Sequence, residues 1–110
     1  MADSDGDLHV PGAKQKYGKP RAGLVLGDFR KALLAVSEVG TMGANKYSPH
    51  GWLTVPDGFN EYTEAMMRHW LKEGIELSDQ ESGIPHAAHL AWNALARLEL
   101  LLDEIGYYDD

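Results

Sequence analysis

The strongest constraint on the fold is the segment after Pro85, where Ala87, Leu90, Ala91, Ala94, Leu98, Leu101 and Leu102 recur at intervals of three and four. That spacing is the period of an α-helix, and a proline suits the first turn of one. Trp92, Leu95 and Leu100 flank or interrupt this stripe, so the helix is apolar on several sides and needs partners to cover it. His86, His89, Asn93 and Arg97 fall on a second, polar stripe, which this spacing places at the rim of the core. If His86 lines a ligand site at that edge, His86→Ala should weaken ligand binding severely while costing only about 1 kcal/mol or less of stability.

Two further segments carry the same period. Phe29, Ala32, Leu33, Val36, Val39, Gly40 and Gly43 mark a helix from Asp28, an acceptable N-cap, to about Asn45. Phe59, Tyr62, Met66, His69 and Trp70 mark another over about 60–72, closed by Glu73 and Gly74. The fold class that follows is all-α, a small helical bundle in which the second and third helices pair as an antiparallel hairpin across the polar turn from Glu76 to Pro85. Lys46 to Gly58 is a loop by composition but carries aromatic residues.

With 110 residues and 44% in the hydrophobic set, there is material for one core. The expected domain runs over 16–105, with a flexible tail at 1–15 and an acidic tail at 106–110. Residues Lys16 to Leu26, punctuated by Gly18, Pro20 and Gly23, read as an extended N-terminal arm. Pairing with a second copy is a natural source of burial for so small a domain, so a homo-oligomer is expected.

Composition removes several function classes. There is no cysteine, hence no disulfide framework, thiolate metal site or catalytic thiol. No run of residues approaches a membrane span, and the polar, acidic start does not resemble a secretion signal, so no membrane role is expected and a cytoplasmic location is the default. The net charge of −7 is concentrated at the ends, in Asp3, Asp5 and Asp7 and in Glu99, Asp103, Glu104, Asp109 and Asp110. All 10 Lys and Arg lie between Lys14 and Arg97, which leaves the middle of the chain nearly neutral and able to form a local cationic pocket. They are scattered singly, and the absence of a basic stripe argues against duplex nucleic acid as a partner.

Four groups of residues can carry chemistry. His86 and His89, three apart on one helix, can reach one divalent cation or one phosphate, with Asn93 and Arg97 continuing their stripe; a polar edge of the core would have the same spacing. Glu61, Glu64 and Arg68 share a face of the second helix beside His69, and carboxylates facing histidines across a hairpin are how bundles hold divalent metals. Glu64 and Arg68 also make an ordinary i, i+4 surface pair. Asp79, in the acidic turn, is close enough in sequence to His86 either to ligate beside it or to cap the following helix. Lys46, Tyr47 and Trp52 combine an ammonium for phosphate with rings on which a base can stack, or else the rings simply cover helix ends.

The order Lys19-Pro20-Arg21, Leu24-Val25, Gly43-Ala44-Asn45-Lys46-Tyr47, Trp52, Arg68-His69, Gly74, Asp79, Glu81-Ser82-Gly83, His86 and Trp92-Asn93 resembles a family of small phage proteins, the dATP/dGTP diphosphohydrolase-type domains, over about residues 16–102. The family name implies similarity to MazG-like all-α nucleotide pyrophosphohydrolases, which use Mg²⁺ or Mn²⁺ to split a nucleoside triphosphate into monophosphate and pyrophosphate. It also implies the cytoplasm of an infected bacterial host as the location. The MazG-like pattern asks for E-E-x-x-E on one helix and E-x-x-D on another. Here the first helix offers Glu38 alone, His86-Ala87-Ala88-His89 stands where E-x-x-D is expected, and Glu76-Leu77-Ser78-Asp79 has the spacing but falls in a turn.

Two readings follow from the resemblance. In one, Glu64, Asp79, His86 and His89 hold Mg²⁺ or Mn²⁺, with Glu38 and Asp79 in catalytic roles. Lys19, Arg21, Lys46 and Arg68 neutralise the phosphates, and Tyr47, Trp52, His69 and Asn93 complete the site for a purine nucleotide. In the other, the same pocket sequesters a nucleotide or a nucleotide-derived immune signal without cleaving it, the imidazoles bonding phosphate directly. A helical structural subunit whose polar stripes seal an oligomer interface is a third, plainer alternative. If His86, Asp79 and Arg68 line the pocket, they should converge with Lys46 and Tyr47.

Overall fold

A computed structural model describes residues 18–109. The described chain forms two units, 18–30 and 31–109; the tail expected at 1–15 lies outside the described residues. In the first unit, Ala22–Asp28 is a helix, α1. This corrects the expectation of an extended arm running to Leu26. Pro20 precedes the first helical residue, so its fixed φ and missing N–H fall outside the helix, and Ala22, Leu24 and Leu26 are good helix formers. Gly23 and Gly27, which read as punctuation, are tolerated at about 1 kcal/mol each. The helix stops at Phe29, with φ −117° and ψ 39° and its N–H bonded to the Leu26 carbonyl at 3.2 Å. Asp28 therefore closes α1 and is not the N-cap of the next helix.

The remaining helices are α2 (Arg30–Lys46), α3 (Gly58–Glu73) and α4 (His86–Ile105), with a 3-10 turn at Gly51–Thr54 inside the expected loop. The described residues form no strand beyond one isolated bridge, Ser78 to Pro85, and the fold is all-α. No described helix is long and apolar enough to cross a membrane.

Residues α3 and α4 pair in opposite order along the chain, as an antiparallel hairpin requires. Near its start, α3 packs Gly58 against Leu100, so closely that a Cβ there would sit 3.0 Å from a leucine methyl. One to two turns on, Arg97 Nε donates to Thr63 Oγ1 at 2.7 Å, and the Arg97 guanidinium lies 4.5 Å from the centre of the Phe59 ring. Towards its end, α3 brings His69 against His86 and His89. The turn between them is cross-bonded by Asp79 N–H to the Ile84 carbonyl at 2.9 Å and His86 N–H to the Leu77 carbonyl at 3.0 Å. Gly83 takes φ +76° there, a conformation that favours glycine. At the far end, Gly106 takes φ +63° and Tyr107 N–H reaches back to the Leu102 carbonyl at 3.1 Å, a Schellman stop. Helix α2 packs onto α4 through Val39, which clusters with Ile84 and Ala88 and is flanked by Ala35, Met42 and Trp92.

The deepest side of α4 is not its apolar stripe, of which Leu90, Ala91, Ala94 and Leu102 are half-buried. His86, Ala88, His89, Asn93 and Ala96 are buried, whereas Ala87, Leu98 and Leu101 of the apolar stripe are exposed and Leu95 beside it is 50% exposed. His86, expected at a rim, has no exposed surface at all. Polar side chains can occupy a core when their polar atoms find partners, and the turn preceding α4 supplies them.

Candidate functional site

At the closed end of the hairpin, three imidazoles meet two carboxylates. His86 Nε2 lies 2.8 Å from Glu76 Oε2 and His86 Nδ1 lies 2.9 Å from His69 Nδ1. A carboxylate only accepts, so His86 Nε2 carries a hydrogen, and the contact between the two Nδ1 atoms has one donor and one acceptor. The His69 ring stacks on His89 at 4.6 Å with 9° between planes. His89 Nε2 is 2.9 Å from Ser82 Oγ, which also accepts from Ile84 N–H at 3.1 Å, and Asp79 Oδ2 accepts from Ser82 N–H at 2.8 Å.

The electrostatics follow from this packing. Burial, reinforced by the neighbouring His89 and His86, pushes His69 down to about 4, and burial also lowers His89. The hydrogen bond from His86 holds Glu76 below the usual carboxylate range, and the Ser82 backbone N–H does the same for Asp79. Near neutral pH, His69 and His89 are uncharged and the two carboxylates are ionised.

A cleft of about 800 Å³ opens beside this cluster, walled by α2, the 3-10 turn and α4. Its floor is aromatic: Trp52, Tyr62 and Trp92 meet edge to face with centroids 5.6–5.9 Å apart. The Tyr62 hydroxyl donates to the Trp52 carbonyl, which fixes the 3-10 turn to α3. Gly40 and Gly43 leave the α2 wall bare; a Cβ on Gly40 would stand 3.1 Å from the Trp92 indole nitrogen. Buried Asn93 lines the cleft, and exposed Lys46, Tyr47, Ser48 and His50 form its rim. Lys46 Nζ is 3.1 Å from Glu81 Oε2. The hydrogen bond that Lys46 donates to Glu81 raises the Lys46 pKa, so the ammonium is charged at neutral pH.

The sequence-predicted residues thus divide among several places. Lys46, Tyr47, Trp52 and Asn93 come together in the cleft. His69, His86, His89 and Asp79 come together in the buried cluster, and the structure does not put them in the cleft lining. Arg68 and Glu64 are exposed on α3 and contribute to neither. Glu38 is exposed on another face of α2, in a shallow groove with Leu34, Ser37 and Thr41. Lys19 and Arg21 are exposed and belong to the first unit. The expected convergence of His86, Asp79 and Arg68 with Lys46 and Tyr47 does not occur.

Residues 9–110 match the family described as dATP/dGTP diphosphohydrolase, N-terminal. The chain belongs to that family. No curated protein and no solved structure matches it. The family name is consistent with a nucleotide hydrolase.

Among the cleft residues that sequence reasoning missed are Gly40, His50, Tyr62 and Trp92. Tyr62 falls in a helical period and Trp92 flanks one, and an aromatic in either place gives no sign that it floors a cavity. His50 carried a usable signal, since a non-glycine residue between Pro49 and Gly51 is a candidate for positive φ, and it adopts φ 65°.

A fit to Mg²⁺ or Mn²⁺ can be tested on the donors themselves. These hard ions favour oxygen-rich shells. Among the described residues no three of His, Asp and Glu converge in a geometry that could hold a metal ion. The His86 nitrogens are engaged by Glu76 and His69, Asp79 caps Ser82, and Glu64 stands apart. Glu64, Asp79, His86 and His89 do not fit the ion as a ligand set.

Proposed function

We propose that this domain binds the substrate of a (deoxy)nucleoside triphosphate pyrophosphohydrolase acting on purine nucleotides such as dATP and dGTP. The reaction is attack of water on the α-phosphorus with cleavage of the α–β phosphoanhydride bond, giving the monophosphate and pyrophosphate. The observation that carries the reading is the convergence of Lys46, Tyr47, Trp52 and Asn93 in one cleft with an aromatic floor, in a chain whose family is named for this substrate class.

The division of labour follows from physical chemistry. A purine gains by stacking against aromatic rings, and stacking contributes about 1–3 kcal/mol per base. Phosphates cannot follow it among those rings without losing their hydration, so they stay at the rim, where Lys46 is the charged group. The Lys46–Glu81 pair is half open to water. Exposed pairs of this kind contribute little to stability, so Lys46 can exchange Glu81 for a phosphate at small cost. The divalent ion of MazG-like chemistry remains part of the proposed reaction, but no step is assigned to it through the residues described.

The test is incubation of the purified protein with dATP, dGTP, dTTP and dCTP, with and without Mg²⁺ or Mn²⁺, followed by mass spectrometry of the solution and of ligand released by heat. The expected result is dAMP or dGMP together with pyrophosphate. Nucleotide recovered intact from the protein would turn the reading into retention without cleavage, and neither product nor bound nucleotide would reject it.

A further inference from the structure

We infer that Asn93 reads the edge of the purine base, so that the base enters the cleft first and the phosphates remain at the Lys46 rim. This deepens the proposed function and rests on it. Asn93 is 7% exposed and lines the cleft. Its Nδ2 donates to the His89 carbonyl one helical turn back, at 2.8 Å. A carbonyl only accepts, so that contact must come from the amide nitrogen, and the orientation of the carboxamide is settled by its own hydrogen bond.

The consequence is an acceptor left over on a buried side chain. No described residue donates to Asn93 Oδ1, and a second Nδ2 hydrogen also remains. Buried polar groups in folded proteins are nearly always paired, because an unpaired one loses its hydration without replacement. Here the unpaired group belongs to a side chain in the wall of a cleft, one residue from Trp92, whose ring forms part of the aromatic floor. The neighbouring histidine cluster, equally polar, has bonded its imidazoles to described partners.

An acceptor and a donor side by side on one amide match a base edge that offers a donor and an acceptor side by side. Adenine does so with N6–H and N1 or N7, and guanine with N1–H and O6; Asn is accordingly a common reader of adenine. The floor of the cleft holds no Lys or Arg, the only such residue in the lining being Lys46. Charge balance therefore orders the ligand with its base against Asn93 and its triphosphate outward.

The experiment compares dATP with the 2′-deoxyriboside triphosphate of unsubstituted purine, which lacks the 6-amino group, on the full chain and on Asn93→Leu. Inorganic tripolyphosphate serves as the base-free probe, and binding is read by calorimetry. The full chain should bind the unsubstituted analogue about 10-fold more weakly than dATP, the loss expected for one hydrogen bond in a buried site. Asn93→Leu should bind the two alike, at the weaker value, and should bind tripolyphosphate as the full chain does. If the leucine variant does not fold, Asn93→Ala, which adds no bulk, takes its place. Equal binding of the two nucleotides by the full chain, or discrimination that survives the substitution, overturns the inference and leaves the nucleotide reading standing. Binding of no nucleotide by the full chain overturns both.

Discussion

The histidine cluster and the cleft lie along one helix, α4, yet they treat polarity in opposite ways. In the cluster the polar groups close on one another: His86 is shared between Glu76 and His69, and His89 rests on Ser82. In the cleft, Asn93 Oδ1 has no donor among the described residues, and Lys46 holds an exposed carboxylate and lies over the exposed Tyr47 ring. Buried polarity paired within the protein, as at both nitrogens of His86, fixes a structure, and a buried amide left unpaired at a cavity wall is where a ligand can complete it. The titratable residues that most invite a catalytic reading are therefore those holding the turn to the hairpin, and the proposed binding surface is made of aromatic rings, bare glycines, one lysine and one amide.

Several perturbations would break that division if it is wrong. The largest effect is expected for His86→Ala. It opens a cavity at a fully buried position and strips partners from His69 and Glu76, which should cost about 2–4 kcal/mol in a urea titration. Nucleotide affinity per folded molecule should stay unchanged. Loss of binding without loss of stability would return His86 to the site.

Lys46→Ala should do the opposite. Charge-assisted contacts to phosphate are the strong ones, so triphosphate affinity should fall about 10- to 100-fold while the melting temperature hardly moves.

Acid should act on the cluster. A histidine whose folded-state pKa lies near 4, against 6.5 for the model value, binds more protons unfolded than folded between those values. Stability is then full above about pH 6.5 and is lost as pH falls towards 4. Glu76 and Asp79, both lowered, contribute stability that is present above their unfolded values and is lost as pH falls further. Melting temperature measured from pH 7.5 to 4 should decline from about pH 6.5 downwards; a flat profile would mean that the imidazoles are not buried as neutral groups.

The smallest effect is expected for Glu81→Gln, which releases Lys46 from its exposed partner. It should tighten triphosphate binding about 2-fold and leave stability unchanged, consistent with the modest strength of exposed ion pairs.

Helical period was enough to place three helices, the hairpin of 58–73 with 86–105, and the all-α class. It could not tell which face of α4 turns inward. Periodicity says that His86, His89 and Asn93 share a side and that Leu98 and Leu101 share another. The choice between them depends on Glu76 and Ser82, whose positions are set by the turn. Helix α1 was hidden because Gly18, Pro20 and Gly23 outweigh four apolar residues in so short a segment. In the candidate site, Lys46, Tyr47 and Trp52 were legible because they are close together in sequence. Trp92 and Tyr62 were not, since their approach to Trp52 is long-range, and neither was the meeting of Lys46 with Glu81.

The central claim is that the aromatic floor of the cleft receives the nucleotide. The three tryptophans of this chain offer a direct test, because Trp52 and Trp92 line the cleft whereas Trp70 is 64% exposed on α3 and outside it. In a ¹⁵N-labelled sample titrated with dATP, with indole signals assigned by Trp70→Phe, the account predicts that the Trp52 and Trp92 indole N–H resonances shift together and that of Trp70 stays in place. A shift confined to Trp70, or saturable binding of dATP with all three resonances unmoved, would contradict it.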